Sequence, residues 1–600
     1  AATLTVRQDQ VSGYTISGTG TVTATGTASA DTFNATNISA TTNYSSLAGN
    51  DSVTVAPSTL GSVDSIDGGA NTDTLTFSAA TTSVVDASFT NVVNTEILQL
   101  ANGTNSISLG SEAENSGAGI TTVTGGSGAD TLNLLYGTTG LTFNAGSGSD
   151  TLSYSADSAS QSITLTAISS GTASGTVSNG GTDSFTGLEA IVGGSGSGDL
   201  ITSTSSAETL VVSGANSGTI NSFAFSGVES VDLGSGNDTA SINNGGSLSG
   251  NLNLGDGTNT LTFNTGAGSV GSVTAGTGND TLTISAGSIT GAVDLGTGTD
   301  TLSYAGYGSA VSVTLNAISS STGSISSGGA TAISGTVAGV ESLVGSGNSD
   351  SLIASSADNT LILTGANQGT IDGLGFSAFE SVDLAGGNDS VQFTVGDSLA
   401  GTLTGGSGTD TLDYSNYGSA VTVNLASGTA TGTGGISGFD TVLGSASADT
   451  ITASTSGDVN LQGNAGTDTF SFTVAGLTST DTVDGGNGSD TLLISDAGTI
   501  TDAQFTNVSL VESVTLTGAS TLTAGTAASQ AGIATVTTGS GNTTVNSSLN
   551  GYDLTIEAAS LGDGASLTLS GSASSNDFTV NTLTGTVLAG GTSGSLTVTT

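Results

Sequence analysis

The feature that most constrains the fold is a short motif, GxGxDTL, that recurs along the chain at a nearly constant spacing. Its clearest copies are GGSGADTL at 125 to 132, GGSGTDTL at 405 to 412 and GGNGSDTL at 485 to 492. Successive aspartates, such as Asp130 and Asp150 or Asp389 and Asp410, are separated by about 20 residues. A fixed period of this size is typical of solenoids, in which each repeat forms one coil that stacks on the next.

Each glycine-rich turn is followed by a short segment in which apolar residues alternate with threonine or serine, which favours a β-strand. The step from Asp449 to Asp458, and again from there to Asp468, is about half of that period, which indicates two turn-and-strand units in one coil. We therefore predict an all-β, elongated parallel β-solenoid (a β-roll or β-helix) with about 20 residues per coil. The single helical turn that we expect lies near Glu112 to Asn115.

Composition narrows the function. The 600 residues include 95 Gly, 48 Asp and Glu, one basic residue (Arg7) and no Cys, His, Met or Trp, for a net charge of −47. Nucleic-acid partners need Lys and Arg, so we expect none, and no stretch approaches the ~20 apolar residues of a membrane span. Without His, Lys or Cys for base, Schiff-base or thiol chemistry, we predict that the protein is not an enzyme.

Motif content divides the chain into three predicted segments: an N-terminal strand-rich cap or assembly segment (1–48), a repetitive solenoid that contains the aspartate turns (49–500) and C-terminal coils with few aspartate turns (501–600). Internal duplication is also visible. TDTLSY or a close relative occurs at 150 to 154, 300 to 304 and 410 to 414, followed each time by an apolar stretch and a Gly-[Leu/Val/Phe]-acid step. Residues 86–124 resemble residues 502–537.

The recurring turn is suited to calcium, which prefers six to eight oxygen ligands, because it offers backbone carbonyls beside a carboxylate. One turn supplies too few ligands, but two turns one strand spacing apart can enclose an ion jointly. The alternative is that Asp and Gly are simply good turn residues and that each aspartate caps its own turn. The candidate calcium-binding aspartates are Asp73, Asp130, Asp150, Asp238, Asp280, Asp300, Asp389, Asp410, Asp449, Asp468 and Asp490.

The segments GGSGADTLN, GGSGTDTLD and GGNGSDTLL match the nonapeptide GGxGxDxUx, where U is a large apolar residue. On this motif the chain resembles RTX-type (hemolysin-type) calcium-binding repeat proteins, and residues 409 to 454 are similar to a segment of large secreted adhesins and calcium-dependent bacterial surface-layer proteins. The resemblance implies carbonyl ligands from the second and fourth positions beside each aspartate. The implied glycine ligands are Gly126 and Gly128, Gly406 and Gly408, and Gly486 and Gly488.

Most turns here stand alone once per coil, unlike the uninterrupted nonapeptides of that family, and Asn259 and Asn542 replace the acid. We therefore expect several Ca²⁺ ions in patchy rows. The predicted function is that of a structural, extracellular, cell-surface protein: a calcium-stabilised subunit of a surface layer, sheath or filament that self-associates, with a cell-surface polysaccharide as a candidate partner. The alternatives are the stalk of a secreted RTX adhesin and, more remotely, a β-helix enzyme that modifies polysaccharides.

Overall fold

The computed structural model describes residues 2–60, 65–114, 118–135, 140–319, 322–326, 332–571, 578–581, 586–590 and 596–598. Its contacts divide the chain into two compact units, unit 1 (Ala1–Leu302 and Thr331–Gly339) and unit 2 (Ser303–Ala330 and Val340–Thr600). In both units nearly all regular structure is β-strand, and most neighbouring strands pair in parallel. The predicted all-β parallel β-solenoid is therefore confirmed. The three predicted segments were drawn from motif content, and they remain a prediction.

The strands of unit 1 alternate along the chain between sheets. One sheet contains Thr32–Asn34, Ser52–Val55, Thr74–Phe77, Ile97–Gln99, Thr122–Thr124, Thr142–Asn144, Ser162–Ser169, Thr172–Ser178, Thr182–Leu188, Leu200–Thr202, Ser230–Asp232, Leu252–Asn253, Val273–Thr274, Val293–Asp294 and Thr336–Val340. A second contains Asn105–Leu109, Asp130–Leu134, Thr151–Ser153, Ala190–Val192, Thr209–Gly214, Ser217–Ile220, Phe223–Ser226, Thr239–Ile242, Thr260–Phe263, Thr281–Ile284 and Thr301–Ser303. Smaller sheets contain Thr3–Arg7, Thr21–Thr25, Thr41–Ser45, Ser65–Asp67 and Val92–Val93, and the pair Ser269–Val270 and Ser288–Ile289.

Unit 2 repeats this alternation. One sheet contains Ser312–Ser319, Thr322–Ser326, Ser351–Ile353, Ser381–Asp383, Leu399–Thr404 and Thr433–Ser437, and a second contains Ser342–Val344, Thr360–Gly365, Gln368–Ile371, Leu374–Ser377, Ser390–Thr394, Thr411–Asn416, Thr441–Leu443, Asn460–Gln462, Thr482–Asp484 and Val508–Ser509. A third sheet contains Thr422–Asn424, Thr429–Ala430, Thr450–Thr452, Thr469–Phe472, Thr491–Ile494, Ser513–Leu516, Thr535–Thr537, Leu554–Glu557, Phe578–Asn581 and Leu596–Val598. Smaller sheets contain Gly498–Ile500, Ser520–Ala524, Thr543–Ser547, Ser566–Ser570 and Thr586–Gly590, and the pair Ala465–Gly466 and Asn487–Gly488.

The strand register confirms the predicted coil length. Thr239, Thr260 and Thr281 lie side by side on successive parallel strands, so one coil takes about 20 residues there. The alternation of side chains then places like residues on like residues, with Leu261 stacked on Leu282 and Phe263 stacked on Ile284. All four of these side chains are buried. Burial of one such side chain contributes about 1.5–3 kcal/mol, so the interior rows of the coils form the core.

The strands do not all pair in parallel, which the sequence did not indicate. In unit 1, Thr142–Asn144 pairs in parallel with Thr182–Leu188, a strand that comes later on the same sheet. The intervening Ser162–Ser169 and Thr172–Ser178 form antiparallel hairpins that lead back to it. The chain thus folds back through a meander before the parallel stacking continues.

The neighbouring sheet of unit 1 contains a matching meander. The strands Thr209–Gly214, Ser217–Ile220 and Phe223–Ser226 pair antiparallel in sequence order. The first then pairs in parallel with Thr239–Ile242, and the last with Ala190–Val192. Unit 2 repeats this fold-back in residues 360–377, between Ser342–Val344 and Ser390–Thr394.

The helices follow the duplication of residues 86–124 and 502–537. The α-helix Ser111–Glu114 covers the described part of the predicted helical turn, and its counterpart is Thr526–Ala531. Each helix is capped by an aspartate of the preceding coil, because Asp86 accepts hydrogen bonds from three N–H groups at residues 110–113 and Asp502 from three at residues 525–528. The 3₁₀ helices of the structure are Gln8–Gln10, Pro57–Thr59, Asp86–Phe89 and Asp502–Phe505.

Candidate metal-binding turns

The structure places all the predicted aspartates at equivalent points, at or directly before the first residue of a strand. Every one of them is at most 2 % exposed, although aspartate is a residue that water normally solvates. Burying a carboxylate is costly unless its oxygens are hydrogen-bonded or paired with a positive charge. The partners of these oxygens therefore decide what the turns can do.

One carboxylate oxygen of each turn links two coils. Oδ1 of Asp150 accepts the backbone N–H of Asp130 at 2.8 Å, so the side chain of one coil binds the turn of the coil before it. The same bond recurs in both units, and the rows that it forms are called the acid ladder below. Other examples are Asp280 N–H to Asp300 at 2.6 Å, Asp389 N–H to Asp410 at 2.9 Å, Asp449 N–H to Asp468 at 2.7 Å and Asp468 N–H to Asp490 at 2.7 Å.

The second oxygen of most ladder aspartates is buried and accepts no hydrogen bond from any residue that the structure describes. This holds for Oδ2 of Asp73, Asp150, Asp238, Asp280, Asp389, Asp410, Asp468 and Asp490. Burial, together with the neighbouring carboxylates, raises the pKa of Asp150 to about 6 and that of Asp468 to about 6, although the ladder bond opposes the shift. Among the described residues, no proton donor satisfies these oxygens, although a buried carboxylate requires a partner.

Turns with asparagine at the ladder position show what this second oxygen faces. Asn259 keeps the ladder bond, because its Oδ1 accepts the N–H of Asp238 at 2.9 Å. Its Nδ2 donates to two carbonyls of its own turn, those of Gly255 at 3.1 Å and Gly257 at 3.4 Å. Asn105 donates in the same way to Ala101 and Gly103, and Asn359 to Ser355 and Ala357.

These carbonyls belong to the residues four and two positions before the ladder residue. In the Asp130 turn those positions are Gly126 and Gly128, which the family resemblance singles out as ligands. Because Asn259 and the aspartates make the same ladder bond, Nδ2 of the asparagine corresponds to Oδ2 of an aspartate. The amide of Asn259 donates a hydrogen bond to each of the two carbonyl oxygens. An aspartate places a carboxylate oxygen beside them instead, and that oxygen cannot donate a hydrogen bond to either.

The first glycine of the motif is required mainly by the backbone of the next coil, because a Cβ atom on Gly405 would lie 2.2 Å from the carbonyl oxygen of Gly438 and one on Gly485 would lie 1.9 Å from that of Leu510. The aspartate side chain of the turn also lies close. A Cβ atom on Gly405 would lie 2.9 Å from Oδ2 of Asp410, and one on Gly485 would lie 2.7 Å from Oδ2 of Asp490. The later glycines are required by the backbone, as at Gly408, whose φ of 139° disfavours other residues. The first glycine therefore leaves room for the next coil and for the carboxylate, and the later glycine permits the backbone conformation of the turn.

Two predicted aspartates differ from the others. Oδ2 of Asp130 accepts the N–H of Gly126 at 3.0 Å. Asp449 accepts both the N–H of Ser445 at 2.6 Å and its hydroxyl at 3.0 Å, so a serine in place of the glycine satisfies that carboxylate. These two turns fit the alternative in which the aspartate caps its own turn.

Sequence reasoning missed several members of the acid ladder. The overlooked acids, each at a ladder position, are Asp51, Glu96, Glu189, Asp199, Glu208, Glu229, Asp350, Glu380, Asp440 and Glu512. Four of the glutamates stand one residue before a strand in the phrases GLEA, GVES, AFES and LVES. The sequence signal that could have identified these acids is therefore their position directly before a strand, and not the glycines that precede an acid.

Among the described residues, no three or more Asp, Glu, His or Cys side chains converge closely enough to hold a metal ion by themselves. A cation in these turns would thus depend on backbone carbonyls as well as carboxylates. No helix in the described ranges is long and apolar enough to cross a bilayer. Neither the protein-family models nor the curated proteins compared with this sequence give a match. The resemblance to RTX repeats therefore rests on the motif alone.

Proposed function

We propose that the protein is a calcium-stabilised structural solenoid that forms part of an extracellular cell-surface layer, sheath or filament. The observation that carries the calcium part is the buried second oxygen of the ladder aspartates, which corresponds in position to an asparagine amide that donates to two carbonyls. A cation there would be bound by one carboxylate oxygen and two carbonyl oxygens of the same turn. Calcium prefers such oxygen ligands, and the adjacent coil or water would complete its shell.

Charge supports an added cation. The only basic residue, Arg7, forms an exposed ion pair with Asp9, so it neutralises none of the ladder aspartates. Stacked carboxylates one strand spacing apart repel each other, and divalent cations would remove that repulsion. A site with one carboxylate is weak, in keeping with the affinities of about 10⁻⁴ to 10⁻³ M that extracellular calcium modules show. This supports a location outside the cell.

The structural part of the proposal is supported by the segregation of charge. The acids concentrate in the turns, whereas outward positions on the strands are mostly threonine and serine. In one sheet of unit 2 the outward row that begins the strands contains no charged residue: Thr422, Thr450, Thr469, Thr491, Ser513, Thr535, Thr555 and Thr579. Copies of the chain could pack through such uncharged rows while calcium bridges the acidic turns, and the rows could also contact a polysaccharide. Catalysis is not part of the proposal.

The test is calcium titration of the purified chain by calorimetry, followed by electron microscopy with calcium and then with a chelator, and with magnesium as the control ion. We expect several bound calcium ions and ordered sheets or filaments that dissolve on chelation. Calcium binding without assembly would favour the adhesin stalk instead. Unchanged structure and no heat of binding would overturn the calcium proposal.

A further inference from the structure

Asparagine holds the ladder position in some turns, and there its amide donates to two carbonyls of the turn and, at Asn105 and Asn359, also to the aspartate of the next coil. Asn259 is the most informative because it lies between two aspartates of one ladder. Its Oδ1 accepts the N–H of Asp238, and its own N–H donates to Oδ1 of Asp280 at 2.7 Å. Asn105 and Asn359 hold the corresponding positions in other coils. The asparagines therefore maintain the ladder without adding a charge to it.

We propose that Asn105, Asn259 and Asn359 take the place of the ion, so that their turns stay closed without calcium, while aspartate turns whose second oxygen has no donor, such as those of Asp238 and Asp280, depend on it. This inference rests on the calcium-binding function proposed above. In the Asn259 turn the two protons of Nδ2 satisfy the carbonyls of Gly255 and Gly257. In the Asp280 turn the equivalent carbonyls belong to Gly276 and Gly278, and a carboxylate oxygen cannot donate to them.

The consequence is a graded response to calcium. When the ion is removed, an aspartate turn retains a buried carboxylate oxygen without a donor and loses stability. An asparagine turn loses nothing, because its hydrogen bonds come from the chain itself. The coils at Asn105, Asn259 and Asn359 would then remain folded as points from which neighbouring coils close again when calcium returns. Asparagine at the ladder position thus makes a turn insensitive to calcium.

The test uses two substitutions that keep the size of the side chain, Asn259→Asp and Asp280→Asn, in the full chain. Hydrogen exchange of the strands Thr260–Phe263 and Thr281–Ile284 is measured with calcium and with a chelator. Asp280→Asn should make exchange of Thr281–Ile284 in chelator about tenfold slower than in the unsubstituted chain, the effect of roughly one satisfied buried hydrogen bond. Asn259→Asp should make exchange of Thr260–Phe263 depend on calcium. Asp563→Asn, the same change at an exposed aspartate outside the ladder, is the matched control and should change neither strand.

The outcomes separate this inference from the proposed function. If chelation changes exchange nowhere in the unsubstituted chain, the calcium proposal fails and this inference fails with it. If chelation accelerates exchange but Asp280→Asn remains as sensitive as the unsubstituted chain, calcium binding stands and the role of the asparagines is overturned. Asp280→Asn keeps the test decisive even where Asn259→Asp fails to fold.

Discussion

One sheet of unit 2 contains both kinds of coil, those with acid turns and those without. Its strands share a single register from Thr450 through Thr491 to Thr579. In the first part the residue before each strand is an acid: Asp449, Asp468, Asp490 and Glu512. In the second part the same position holds Ala534, Leu554 and Phe578.

Both parts bury their interior rows equally well. Phe470 and Leu492 in the acid part are fully buried, as are Val536 and Ile556 in the apolar part. A coil of this length therefore closes with an apolar residue at the ladder position, and the acid is not needed to form it. The comparison shows that packing of the interior rows stabilises the coil in both parts. The acid turns additionally need a partner for the buried carboxylate from outside the chain, and we propose that this partner is calcium.

The largest expected effect in extent comes from removing calcium, because it acts on all the calcium-dependent acid turns at once. In chelator at neutral pH, amide exchange in Thr469–Phe472 and Thr491–Ile494 should become faster by roughly a hundredfold, because the turns at Asp468 and Asp490 would lose the cation that we propose there. Exchange in Thr535–Thr537 and Leu554–Glu557 should change little. Hydrogen exchange read by mass spectrometry checks both parts in one sample. Equal acceleration in both parts would remove the distinction between acid and apolar coils.

The second effect concerns the core and should be the same in both parts. With calcium present, Leu492→Ala and Ile556→Ala should each reduce local stability by about 2–5 kcal/mol, because each deletes a fully buried side chain. The free energy is read from hydrogen exchange of the strand concerned. Thr537→Ala, on the outward side, is the control and should cost less than about 1 kcal/mol. A much smaller loss for Leu492→Ala would show that the acid part is not held by packing.

The third effect concerns the glycines. In Gly485→Ala, the new Cβ would lie 1.9 Å from the carbonyl oxygen of Leu510 and 2.7 Å from Oδ2 of Asp490, so we expect a loss of about 2–4 kcal/mol. Gly564→Ala in the apolar part meets no atom within 4 Å and should cost only about 1 kcal/mol, from its φ of +81°. Thermal unfolding in calcium compares the two variants. Similar melting temperatures would mean that the acid turn has room to rearrange.

The smallest effect is a pH dependence confined to the acid part in chelator. Burial raises the pKa of Asp468 to about 6, above its value of about 3.9 in an unfolded chain, with Asp449 and Asp490 adding to the shift. The folded state therefore binds the proton more tightly, and stability is gained as pH falls from about 7 to about 4 and lost as pH rises through 6. The gain is on the order of 2 kcal/mol.

Exchange of Thr491–Ile494, corrected for its intrinsic pH dependence, measures this gain. Thr535–Thr537 serves as the internal control and should show none. A loss of stability on acidification in the acid part would contradict the expected sign and would mean that these carboxylates are better satisfied when ionised.

Much of the fold could be read from the sequence, because a solenoid stacks equivalent residues and so repeats in the sequence what it repeats in space. The spacing of Asp130 and Asp150 predicted the register, and the alternation after each turn predicted the buried rows. The meander of residues 162–188 could not be predicted in this way. Its strands have the same composition as parallel ones, and whether a strand pairs with the preceding coil or folds back depends on hydrogen bonds between segments distant along the chain.

The candidate site, like the fold, could be predicted from the sequence only in part. The sequence alone determined that the aspartates recur at one point of each coil and that the chain has almost no cation to neutralise them. Only the tertiary structure decided which oxygens have partners, because those partners come from the neighbouring coil or from the backbone of the turn. It is the folded turn that separates Asp280, with one oxygen lacking a donor, from Asn259, whose amide donates to two carbonyls, and from Asp449, which Ser445 satisfies.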